Sequence, residues 1–519
     1  LNLGELGLIG VFLLINISYL SIFLTPHNSI HNIFILFVGL VLFFINFKNF
    51  DKKQLKLLLF LIVLTISFFI ISKNHDDFPY YHLPYALNLS ENKISFGMGL
   101  LNYGNRHHSS ILFLNSLKFI PIFKYYLFNL PNYLILIFVN FVLLQQIIKN
   151  IDKRNLIFLL SLTFFLIINI KFTRLSEYGT DLGGQILLTV IFLNLISNLL
   201  NKENIEKVYF NIILLLIIFS FKVYFIFYFL IIPITLYILK INPFLKKNFN
   251  EKLFFCIVIF GILFLSHNII NTGCLIYPVS ATCFGDYFSW SLDIKEIKRM
   301  DLWLEVWAKA GAAPNYKVEN FENYISGINW VKNWINNYFF NKVSDFLLII
   351  FLINFIIYLF YKKQIKINSK DLNIVKKILV PLLILILFFW FFNHPSLRYG
   401  GYLPVSFLIT LTFIILYKNS SKNLKNNIYF KTKILILLAF LIFNLKNITR
   451  INSEIKREDQ YKFLNFPFYY VKEKNFQKFK LDNQNYLYIT NGYCWATPTP
   501  CTNTPREGYS VNGYLFLKR

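Results

Sequence analysis

Charge is what this 519-residue chain has least of: Asp, Glu, Lys and Arg together make up 15% of it, against 56% hydrophobic residues. A soluble protein of this length needs long polar surfaces, so that class is excluded. Runs of about 18 or more apolar residues with few charges read as membrane-spanning helices. The sequence offers 13, at 7–24, 31–47, 54–72, 130–149, 155–170, 182–200, 207–221, 222–239, 253–270, 346–361, 374–393, 400–417 and 431–447. The expected fold is an all-α polytopic membrane protein.

Other absences narrow the reading. No small-residue cleavage site follows the first run, and the second begins within ten residues, so the first reads as a retained span rather than a removed signal. The chain opens on Leu1 rather than Met, so we expect a short piece to precede it. No repeat at periods of 20–50 residues is evident, nor an inverted repeat of the transporter kind. Charges at mid-span, which a transporter wants, are missing as well.

Acidic residues are few: 26 Asp and Glu against 52 Lys and Arg, a net charge of +26. Such a balance first suggests nucleic acid, but its placement sets orientation instead. The connections 48–56, 149–154, 201–207, 240–252, 361–377 and 418–433 carry 24 Lys and Arg, whereas 25–30, 171–181, Lys222 and 394–399 carry four. Basic connections stay on the cytoplasmic side. The N-terminus is therefore expected in the cytoplasm and, after 13 spans, the C-terminus outside. The basic charge orients the chain and is no nucleic-acid face.

Cysteines number five. Cys256 falls in a span and suits packing. The other four lie in two outside segments, as "GCLIYPVSATC" (Cys274, Cys283) and "CWATPTPC" (Cys494, Cys501). Close pairs on the oxidising side read as two local disulfides. A zinc site would want interleaved histidines, and none has suitable spacing.

We expect a multi-span membrane domain over 1–448 with two large outside loops, 73–129 and 271–345. A small outside α/β tail follows over 449–519. Within the first loop, "FPYYHLPYALNLSENKI" and "SSILFLNSLKFIPIF" are apolar but too short to span, and fit helices lying in the plane of the outer leaflet. The second loop carries a tryptophan-rich stretch suited to the membrane–water boundary. In the tail, "NYLYIT" and "GYLFLK" alternate as strands do.

Four places put polar residues where they are costly. The first is "HDDFPYYHLP", whose Asp76 and Asp77 leave a hydrophobic run and meet an aromatic one. A carboxylate held there suits a general base or, equally, a divalent-cation ligand. A solvated loop is the bland alternative. The second is "KFTRLSEYGTDLGGQ", with Glu177 and Asp181; Asp181 reads equally as a helix cap. The third is Lys222, at the tip between two short spans, where it either snorkels or holds a phosphate. The fourth is "FNHPSLRYGGYLP", where Arg398 is the sole charge of its loop and guanidinium suits phosphate oxygens. All four fall on one side. Carboxylates and isolated cations at the outer leaflet fit an activated nucleophile and an anionic leaving group.

In this pattern the chain resembles the GT-C class of membrane glycosyltransferases, which includes protein O-mannosyltransferases, lipid A aminoarabinose transferases and RgtA/B/C/D-like bacterial enzymes. The resemblance rests on "HDD" at 75–77 opening the first large loop, on "FSFKVYF", and on "LRYGGYLP" late in the bundle. It spans about residues 54–417. It departs in having two spans, rather than one, before the span that leads to the acidic pair. The resemblance implies a bacterial inner-membrane enzyme moving a sugar from a polyprenyl-phosphate donor to a glycan, lipid or protein acceptor with inversion. Asp76 or Asp77 would be the base. Lys222, Arg398 and Tyr399 would hold the donor phosphate, and His75, Tyr80, His82, Arg106 and His107 would orient substrate. An O-antigen polymerase-like enzyme and a lipid-linked-sugar transporter or flippase are the alternatives.

Overall fold

The computed structural model describes residues 1–70, 75, 77–201, 205–240, 251–312, 318–365, 367–417, 427–457, 471–472, 474–482 and 485–519. Helices α1 (Leu3–Ser21), α2 (Ser29–Asn46) and α3 (Lys52–Leu64) open the chain. Two short helices, α4 (Leu83–Glu91) and α5 (Ser110–Ser116), precede α6 (Leu130–Asn150), α7 (Leu156–Lys171), α8 (Leu182–Asn201) and α9 (Ile205–Phe221). A 3-10 stretch, Val223–Leu230, runs into α10 (Ile231–Leu239), and α11 (Glu251–Thr272) follows. The next segment holds α12 (Ile294–Lys309), α13 (Phe321–Ile325) and α14 (Val331–Trp334). Then come α15 (Ser344–Tyr361), α16 (Ser369–Asn393), α17 (Tyr402–Ile415) and α18 (Ile428–Arg457).

All thirteen apolar segments are helical, but among the described residues nine helices are long and apolar enough to cross a membrane. The segment at 54–72 is split, because the chain leaves the α-helix at Thr65, whose hydroxyl donates to Leu61 O. The run 207–239 breaks at Lys222, whose backbone is extended (φ −157°, ψ 123°). The last short one is α17, of 14 residues. The bundle is layered about α8, 94% of whose most apolar window is buried, while α2 is buried over only 6% of its own. A helix that exposes Phe34, Phe37, Phe44 and Ile45 has no stable home in water. The helices are compatible with a multi-pass membrane protein.

Three expectations are corrected. The apolar helices of the 73–129 segment are enclosed in protein rather than laid on a surface: every residue of α4 from Leu83 to Ser90, and all of α5, is buried. Helix α5 is enclosed by α1, α4, α6 and α9, while the C-terminal region closes over the segment around α4, with Trp495 N donating to Pro79 O, Thr502 Oγ1 to Leu101 O, and Thr499 N and Oγ1 to the Glu91 carboxylate. Second, the helix of the last apolar run, expected over 431–447, extends to Arg457 as α18, because the polar "NITRINSEIKR" continues it after its apolar part ends. Third, two tryptophans of the 271–345 segment are core residues: Trp330 is fully buried, and Trp334 donates its Nε1 to Pro395 O.

The C-terminal strands form a three-stranded sheet and a hairpin. Strand β1 (Phe476–Lys480) pairs antiparallel with β2 (Tyr486–Thr490), which pairs parallel with β3 (Cys501–Thr502). Strands β4 (Gly508–Val511) and β5 (Tyr514–Leu517) turn at Asn512-Gly513, both at positive φ, as a two-residue hairpin requires. Phe96 N donates to Leu515 O and Leu517 N donates to Phe96 O, which ties β5 to the 73–129 segment. Disulfides join Cys274 to Cys283 and Cys494 to Cys501.

Candidate functional site

Three segments far apart in sequence meet at Asp181. It directly precedes α8, and its carboxylate lies 3.4 Å from Lys222 Nζ and 3.7 Å from Arg398 Nε. Lys222 is brought there by the extended break between α9 and the 3-10 stretch. Arg398 is brought by a 3-10 turn, Leu397–Tyr399, which closes on Gly400 at φ +104°, a conformation that favours glycine. Gln185, one turn along α8 from Asp181, donates its amide to both Leu397 O and Arg398 O at 2.9 Å. Positions four apart share a helix face, so α8 grips this loop by charge and by hydrogen bond together.

Asp181 is burial-penalised, yet Lys222 and Arg398 outweigh that cost and hold its carboxyl well below the usual carboxylate range. Two cations on one carboxylate leave a local charge of +1. Arg398 donates Nη2 to Tyr399 Oη at 2.9 Å, and its guanidinium lies 4.7 Å from the ring centre of Trp307. The cation is thus fixed in a plane by an aromatic face and a hydroxyl.

The 75–82 stretch rests on the same place. His75 N donates to Glu177 O at 2.7 Å, and Phe78 packs on Tyr178 with ring centres 4.5 Å apart. Asp77 carries its carboxylate 3.3 Å from His75 Nδ1, is more exposed than Asp181, and acts electrostatically on Arg398. Residues Phe78–His82 form a π-turn, of a kind found often at functional sites. Asp76 lies outside the described residues.

The remaining predicted residues divide. His82 is buried, and burial pushes its pKa well below the usual histidine range; neither ring nitrogen has a hydrogen-bond partner among the described residues. His107 is enclosed against Tyr277 and pushed down to about 3, first by burial and then by Lys222. Tyr80 accepts from Tyr103 N at 3.2 Å and meets Tyr493 of the C-terminal region. Arg106 is spent on structure, with Nη2 2.9 Å from Glu296 and Nε donating to Gly99 O. Glu177 parts from Asp181: it is buried and pairs with Arg174 at 2.9 Å and Arg450 at 3.5 Å. Tyr399 is buried at the cluster, beside Tyr224.

Trp307, Tyr224, Gln185 and His394 join the site without having been singled out in the sequence. Trp307 fell inside the tryptophan-rich stretch, whose composition pointed to an interface and not to a cation partner. An apolar crevice lined by Tyr224, Phe227, Phe389, Trp390 and His394 opens beside Tyr399. Among the described residues, no group of three or more His, Cys, Asp or Glu converges as metal ligands.

No curated protein and no solved structure matches the chain. The site itself falls within residues 3–405, the stretch matched by the family described as "Domain of unknown function (DUF8201)", and the chain belongs to that family.

Proposed function

We propose that the chain is an integral-membrane glycosyltransferase that moves a sugar from a polyprenyl-phosphate donor to an acceptor hydroxyl at the outer leaflet of a bacterial inner membrane. In this reading all thirteen apolar helices span, the N-terminus is cytoplasmic and the C-terminal region is outside. The observation that carries it is the convergence of Lys222 and Arg398 on Asp181, near the His75–Asp77 pair.

Asp77 is the described carboxylate best placed to act as base, being more exposed than Asp181 and not bound by two cations. It takes the proton of the acceptor hydroxyl. The oxygen then attacks the anomeric carbon from the face opposite the phosphate, the bond from that carbon to the phosphate oxygen breaks, and the configuration inverts. The electron pair leaves with the lipid phosphate. Lys222 and Arg398 stabilise that developing charge, with Asp181 positioning both cations.

The test compares the purified wild type with Asp76→Asn and Asp77→Asn, following release of polyprenyl phosphate from a panel of lipid-phosphate sugars. Loss of release in one variant, with folding retained, names the base. Turnover that survives in both variants would overturn the role given to "HDD".

A further inference from the structure

The basic residues near Glu177 enclose a space of their own. Where α7 ends, and beside the late turns of α18, a cavity of about 590 Å³ is lined by Lys171, Arg174, Lys446 and Arg450 together with Glu177 and Glu454. Four cations face two carboxylates there. Glu177 is already taken up by Arg174 and Arg450. Lys171 makes no ion pair among the described residues and lies over the rings of Tyr402 and Phe346, 5.4 and 5.8 Å from their centres. Among the described residues Lys446 donates to one acceptor, the backbone carbonyl of Ile170, at 2.7 Å. Arg450 Nη1 is buried without a hydrogen bond among the described residues.

Gathering four cations is costly unless an anion joins them. The helices that border the cavity carry exposed apolar side chains next to its lining residues. Ile349 of α15 forms one wall, and the same helix exposes Leu348, Phe351 and Leu352. Leu441, Leu445 and Ile448 of α18 are exposed alongside Lys446. An occupant held here has an anionic end against the cations and an apolar body along α15 and α18.

We propose that this cavity is a second anion site, distinct from the Lys222–Arg398 cluster, and that it takes the phosphate headgroup of a lipid. Lys171 and Lys446 supply the charges not already committed to Glu177. The site adjoins the first through Glu177, whose carboxylate holds Arg174 and Arg450 while its carbonyl accepts His75 N. It rests on the membrane reading of the helices and not on the transfer chemistry.

The full chain in dodecyl maltoside is titrated with phosphatidic acid, phosphatidylcholine and inorganic phosphate. Bound lipid is counted by native mass spectrometry and stabilisation is read by thermal unfolding. The expected result is that phosphatidic acid binds and raises Tm in the wild type and in Lys222→Gln. In Lys171→Gln/Lys446→Gln its binding is at least tenfold weaker, while Lys171→Arg/Lys446→Arg retains it. Equal binding in the double Gln variant, loss in Lys222→Gln alone, or equal binding of phosphatidylcholine would overturn the proposal. Inorganic phosphate binding as tightly as phosphatidic acid would overturn the lipid assignment. Should the double Gln variant fail to fold, Lys446→Gln alone gives the same reading. Because binding is read without turnover, loss of this site and loss of transferase activity are separate results.

Discussion

Asp181 and Lys222 are 41 positions apart in sequence, yet their charged atoms lie 3.4 Å apart where α8 begins and α9 has ended. Both side chains are mostly buried, at 14% and 13% exposure. Removing one partner of a buried pair leaves the other charge uncompensated, at a cost of about 3–5 kcal/mol. Asp181→Asn is the harsher change, since Lys222 and Arg398 then face each other without their shared anion. The expected outcome is destabilisation in that range for Asp181→Asn. The double variant Asp181→Asn/Lys222→Met should recover part of the loss, with a coupling energy of about 1–3 kcal/mol. Chemical unfolding in mixed micelles measures both; additive losses would mean that the pair is not an energetic unit.

Arg398 is held by more than its charge. Its guanidinium stacks on Trp307 and donates to Tyr399 Oη, contacts that depend on a planar fork. Lysine keeps the charge and loses the plane. If the cation meets the leaving phosphate, Arg398→Lys should lower kcat about 10²–10³-fold, the scale of losing one well-placed electrostatic contact. KM for the donor should change much less. A rise in KM alone would place Arg398 in ground-state binding rather than at the leaving group.

Much of this arrangement was legible in the sequence, and the part that was not has a physical reason. The apolar runs located every described helix long and apolar enough to cross a membrane, because such a helix is hydrophobic on most faces and the signal is length, whereas the polar α12, of 16 residues, gave none. Lys222, Asp181 and Arg398 stood out because a charge at the edge of such a run is expensive. What the runs could not carry was pairing. Glu177 and Asp181 were grouped by proximity in sequence, but Tyr178 at φ +64° turns the chain between them, and each finds its own cations. Nor did composition reveal that α4 is covered, since part of its cover is the 494–502 loop, about 400 residues downstream. Trp307 was hidden for the same reason: an aromatic at an interface and one beneath a guanidinium have the same letter.

Gly400 is the hinge on which Arg398 turns. Its φ of +104° is outside what other residues adopt comfortably, and an added Cβ would meet Tyr228 Cε2 at 3.2 Å. Tyr228 also donates its hydroxyl to Gly400 O, so the ring cannot retreat without breaking that bond. Gly400→Ala should cost at least about 1–3 kcal/mol through strain. It should also displace the Leu397–Tyr399 turn from Gln185. A thermal shift of several degrees with loss of turnover is the expected reading. A variant as stable and active as wild type would show that this turn tolerates another backbone conformation.

Beside His82, two further histidines at the site set a limit on the acid side. His394 is pushed down to about 4 by burial and then by Lys309, and His107 to about 3 by burial and then by Lys222, both from 6.5. Between those values and 6.5, the unfolded chain binds protons that the folded one refuses. Stability therefore rises with pH across that window, because the unfolded state holds more protons there. The contribution is fully present above about pH 6.5. It falls from about 6.5 toward about 4 for His394, and on toward about 3 for His107. Tm in detergent at a series of pH values should decline as the medium is acidified below about pH 6.5. His394→Gln should flatten that decline down to about pH 4, and His107→Gln should flatten it over the same range and on to about pH 3. A decline of unchanged slope in both variants would mean that other groups carry the acid sensitivity and that these rings are free to take their protons in the folded chain.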